Sequence, residues 1–102
     1  MQYKAEEKTV YIYLEETLDI STIEQQWAIL ERILGMDRAI VFESKHLKQI
    51  DLPALQSLLS FVLTASTRTL TWEWREPPDL LIQMTELLGM RTLLNLPATR
   101  GM

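Results

Sequence analysis

The chain has no cysteine, which removes disulfides, thiolate nucleophiles and thiolate metal ligands together. One histidine, His46, is too few nitrogen ligands for a structural zinc site. The three glycines stand alone at 35, 89 and 101, so no glycine-rich loop is available to cradle a phosphate. Bases are outnumbered by acids, ten to fourteen, and they are scattered without forming a stripe, which disfavours a nucleic-acid partner. Long apolar runs are missing too. The richest stretch, Leu52 to Ala65, is interrupted by Gln56, Ser57, Ser60 and Thr64 and is too short to cross a bilayer. The first residues lack the basic start and apolar run of a signal peptide. These absences point to a cytoplasmic protein without cofactor, metal or direct membrane insertion. Asp19, Glu43 and Asp51 could be imagined as an acid–base set, but no hydroxyl or thiol nucleophile with a recognisable base accompanies them, so no enzyme is expected.

What is present suits one small globular domain over 1–102, with 97–102 as a flexible tail: 102 residues, 47% of them apolar and 24% charged. Tyr3 to Ala5 reads as a short strand, and Val10 to Leu14 as a second that puts Val10, Ile12 and Leu14 on one face and Tyr11 and Tyr13 on the other. Asp19 opens a loop, and Ser21 to Glu24 fits a capping box before a helix to about Leu34. Gly35 is expected to close that helix in the left-handed conformation. Ala39 to Phe42 is an internal strand. After a polar loop from Glu43 to Gln49, Asp51 can cap a second helix with Pro53 in its first turn. That helix carries Leu52, Leu55, Leu58, Leu59, Val62 and Leu63, and is expected to lie deepest.

Thr69 to Arg75 alternates, with Leu70, Trp72 and Trp74 facing the core and Thr71, Glu73 and Arg75 facing water. Pro77, Pro78 and Asp79 start a third helix with an apolar band of Leu80, Leu81, Met84, Leu87 and Leu88. Gly89 ends it, and Arg91 to Leu96 is a short closing element. The order predicts an α/β fold: a four-stranded mixed sheet in the order 1-2-3-4, the first strand antiparallel, with helices mainly on one face because right-handed crossovers place them there. The opposite face, with Tyr11 and Tyr13, is left open to a partner or to a second copy of the chain.

From Ala39 to Leu63 the sequence resembles the STAS family, the fold of sulfate-transporter tails and bacterial anti-sigma factor antagonists. Glu43 stands at the family's strand-end acid, Leu47 at its apolar loop position, and Ile50 with Asp51 at its hydrophobic–aspartate pair. Leu18 with Asp19 resembles the step before the first helix, and Leu87 to Met90 the closing leucine–leucine–glycine motif.

The resemblance implies a STAS-like, non-catalytic signalling adaptor that binds another protein through Asp19, Glu43, Ser44, His46, Lys48, Asp51, Leu52, Pro53 and Ala54. The implied partners are an anti-sigma, histidine-kinase-like ATPase, a chemotaxis-type kinase assembly, or the ATPase of a lipid-transport ABC system in which the chain is the small regulatory subunit. A structural homodimer is the remaining alternative. Regulatory members carry a phosphorylated serine or threonine just after the aspartate. Here Leu52, Pro53 and Ala54 follow Asp51, so no phosphoacceptor occupies that position; Ser44 and Ser57 are poorly matched substitutes. His46, between Lys45 and Lys48, also reads as an ordinary solvated loop residue.

Overall fold

A computed structural model describes residues 1–94 and 96; the tail expected over 97–102 lies outside them. The elements in chain order are β1 (Gln2–Ala5), β2 (Thr9–Tyr13), β3 (Thr17–Leu18), α1 (Ile20–Leu34), β4 (Ala39–Glu43), β5 (Gln49–Ile50), α2 (Leu52–Thr67), β6 (Trp72–Arg75) and α3 (Asp79–Leu87). The main sheet runs β1-β2-β4-β6, with β1 antiparallel to β2 and the other pairs parallel. Both crossovers step the same way across the sheet, so a common handedness sends α1 and α2 to the same face.

Alternation along the strands divides the sheet as the side-chain period requires. Val10, Ile12, Ile40 and Phe42 point under the helices and are at most 1% exposed. Trp74 stacks on Phe42 at 4.1 Å between ring centroids, and Phe61 of α2 meets Phe42 edge-on at 6.0 Å. Trp72 and Trp74 are packed on the core side as expected, and both indole N–H groups donate to the Leu94 carbonyl, at 3.0 and 2.7 Å. A single backbone oxygen thus satisfies two indoles and pins the segment after α3 to the edge strand. Leu94 and Leu96 complete the core there.

Helix α2 is the innermost helix: Ala54, Leu55, Leu58, Phe61, Val62 and Ala65 are all buried. It contains no charged residue. Several expected details differ. The capping box at Ser21 does not form; α1 starts two residues earlier, at Ile20, and Asp19 is its cap. Asp19 has the advantage because its carboxylate reaches the Thr22 amide from a position anchored by the strand before it. Gly35 is right-handed (φ −75°), and the left-handed residue of that turn is Asp37 (φ 55°). Gly89, at φ 72°, does take the left-handed position after α3.

The last strand begins at Trp72 because Thr69, at φ 58°, is spent turning the chain out of α2. Leu52, Leu63, Leu87 and Leu88, expected on apolar stripes, are exposed. In α3 the buried face is Leu81, Ile82 and Thr85. The Thr85 hydroxyl is satisfied by donating to the Leu81 and Ile82 carbonyls, which lets a polar residue occupy a core position.

On the helix-free face, Arg75 lies over the Tyr11 ring, 5.4 Å from its centroid, and pairs with Glu43 at 3.1 Å and Glu73 at 3.7 Å. Loss of water works against the charged guanidinium, but Glu43, with Tyr11 and Glu73 adding to it, outweighs that and holds Arg75 above the ordinary arginine value. This polar cluster covers Val41, which is 5% exposed.

Candidate functional site

The sequence expectation missed a second, two-stranded sheet. Strand β3 pairs in parallel with β5, with Thr17 opposite Gln49 and Leu18 opposite Ile50. Each strand leads directly into an aspartate and then a helix: Thr17-Leu18-Asp19-Ile20 enters α1, and Gln49-Ile50-Asp51-Leu52 enters α2. The polar–apolar–aspartate–apolar pattern therefore occurs twice, and the register sets the two copies side by side. That recurrence, 19 against 51, is the one trace of the pairing in the sequence, and it gains its meaning from the register.

The two aspartates act differently. Asp19 Oδ1 accepts from the Thr22 amide at 2.9 Å and the Thr22 hydroxyl at 3.1 Å, all within its own helix. Asp51 Oδ1 accepts from the Ala54 amide at 2.8 Å, while Oδ2 accepts from the Ile20 amide at 3.2 Å. One carboxylate thus serves the open N-terminal amides of both α1 and α2, and its charge lies at the positive ends of two helix dipoles. Asp19 and Asp51, separated by 32 positions in the chain, share one shallow depression with Thr17, Leu18, Gln49 and Ile50.

Glu43 closes β4 as expected and is turned to Arg75 on the outer face. Beyond it, Ser44 and Leu47 are buried while Lys45, His46 and Lys48 are exposed. Lys48 pairs with Glu16 at 3.3 Å, with both side chains largely in water, and its amide donates to the Glu16 carbonyl at 2.7 Å, which ties the loop to β3. Leu52 is 42% exposed and Pro53 is exposed beside it.

Two of the proposed contact residues are corrected. Ser44 is fully buried, and its hydroxyl donates to the Arg75 carbonyl at 3.0 Å; it is a core bridge between β4 and β6, unsuited to touching a partner or taking a phosphate. Ala54 is also fully buried, because the residue directly after Pro53 turns inward on the buried face of α2. Ser57 is half-buried and lines a separate groove with Ile20, Ile23, Glu24 and Trp27 of α1, which the sequence expectation did not include. The structure thus sets Asp19 beside Asp51, with Leu52 and Pro53 exposed in the turn that follows, while Lys48 is tied to Glu16 and His46 is exposed in the loop before β5.

Among the described residues no group of acids and histidines could hold a metal ion, and no helix is long and apolar enough to cross a membrane. No protein-family model matches the sequence, and no curated protein matches it. Among solved structures, the Bacillus cell fate determinant SpoIIAA in its phosphorylated form aligns over 97% of this chain and 90% of its own, with a TM-score of 0.74 and 16% identity. At that identity the likeness is one of fold, and the order of strands, helices and caps described above is a STAS-like α/β fold.

Proposed function

We propose that the chain is a non-catalytic adaptor that binds another protein through the end of the fold where β3 and β5 hand over to α1 and α2. The observation that carries this reading is the exposed first turn of α2. Leu52 and Pro53 project into solvent from a helix start that Asp51 caps through the Ala54 amide and locks to α1 through the Ile20 amide, both charge-assisted hydrogen bonds. A rigid, partly apolar protrusion next to the Asp19–Asp51 depression, with the exposed His46 and Lys48 in the loop that leads to it, has the composition of an interaction surface: an apolar anchor with polar neighbours. The partner class favoured by the STAS-like fold is a nucleotide-hydrolysing regulatory kinase or, alternatively, a transport ATPase.

The first turn of α2 offers no hydroxyl, and Ser44 is enclosed, so binding at this surface is not released by a phosphate placed on either segment. Affinity capture with the wild-type chain and a Leu52→Arg variant tests the reading. Leu52 makes no cap, so the variant keeps its fold, which circular dichroism verifies. One ATPase recovered by the wild type and lost from the variant is the expected result. Equal recovery by both, or recovery of nothing but the chain itself, overturns it.

A further inference from the structure

We propose that the groove between the N-terminal halves of α1 and α2 receives an arginine side chain from the protein partner. The proposal rests on the protein-binding reading above and adds a second contact to it. The groove has a volume of about 380 Å³, within the range of small-ligand sites. It is lined by Ile20, Ile23 and Trp27, with Ser57 as its contribution from α2 and Glu24 at its rim. Ile20 belongs to both places: its side chain lines the groove and its amide donates to Asp51. The groove is thus continuous with the proposed surface.

The charge pattern selects the occupant. Helix α2 has no charged residue, and the only base of α1, Arg32, lies in its last turn. The other charges of α1, Glu31 and Arg32, lie in its C-terminal half and do not line the groove, so Glu24 is the one charged residue lining it, and it has no ion-pair or hydrogen-bond partner among the described residues. An unpaired carboxylate beside a half-buried indole and two isoleucines matches arginine in each part. The apolar stem lies on Ile20 and Ile23, and the guanidinium forks to the carboxylate and stacks on the indole. An acidic side chain would meet only repulsion. An aliphatic one would leave Glu24 under a partner without compensation.

The test is a titration of the whole chain, followed by NMR, with the capped tripeptide Leu-Arg-Leu and its Leu-Glu-Leu counterpart. The three tryptophans give three indole N–H signals, and those of Trp72 and Trp74 are engaged by Leu94 and serve as internal references. The expected result is a saturable shift of the Trp27 signal with the arginine peptide alone, about fivefold weaker in Glu24→Gln. A still Trp27 signal, equal shifts with both peptides, or an unaltered Glu24→Gln variant overturns the proposal. If the titration fails while Leu52→Arg still loses the captured ATPase, the groove is refuted and the adaptor reading stands.

Discussion

Replacing Asp51 should cost about twice as much as replacing Asp19, although both are helix caps. In Asp19→Ala the Thr22 amide loses its acceptor, a change of about 1 kcal/mol. In Asp51→Ala the amides of Ala54 and Ile20 are both orphaned, on two different helices, which brings the loss to about 2–3 kcal/mol. For a chain of this length that corresponds to a fall in Tm of about 4 °C for Asp19→Ala and about 8–12 °C for Asp51→Ala. Asp51→Asn separates the parts, because its amide keeps one acceptor oxygen and loses the other together with the charge, and it should fall between wild type and Asp51→Ala. Urea unfolding followed by far-ultraviolet circular dichroism measures all three. Equal losses for Asp19→Ala and Asp51→Ala, or an Asp51→Asn variant as stable as wild type, would refute the shared cap.

Two more predictions follow from the packing. Trp74→Ala removes the ring stacked on Phe42 and one of the two donors to Leu94, and should cost about 3–5 kcal/mol in the same unfolding assay; a loss under about 1 kcal/mol would mean that this edge of the core is not formed as described. Ser44→Glu places a charge where the native side chain has no exposed surface, so it should leave the chain unfolded or strongly destabilised, whereas Ser44→Ala should cost only about 1 kcal/mol; a folded, stable Ser44→Glu variant would reopen this position as a phosphoacceptor.

The main sheet was legible because two of its strands carry an unambiguous period. Val10, Ile12 and Leu14 alternate with tyrosines, and Trp72 and Trp74 alternate with charges, so the core side of β2 and β6 could be assigned; Ala39 to Phe42, apolar at successive positions, reads as internal, and Tyr3 to Ala5 is too short to show a side. The second sheet was not legible in that way, since Thr17–Leu18 and Gln49–Ile50 are two residues each and too short to show any period. What they do show is a repeated step into an aspartate, which has meaning only once the two copies are paired. Helix ends were misread where side chains compete: Ser21 and Asp19 are both good caps, and the strand upstream decides in favour of Asp19. The contact residues followed the same rule. A loop position such as Ser44 looks accessible in a sequence, and it is the pairing of β4 with β6 that encloses it.

The central claim is that partners dock at the α2 start and leave the open sheet face free. Photocrosslinking in cells tests it most directly, with a photoreactive phenylalanine derivative in place of Leu52 in one protein and of Tyr13, 41% exposed on the sheet face, in another. The account predicts a discrete crosslinked adduct with a second protein from position 52 and none from position 13. An adduct from position 13 alone, above all one of twice the mass of the chain, would contradict it and make the sheet face the interface.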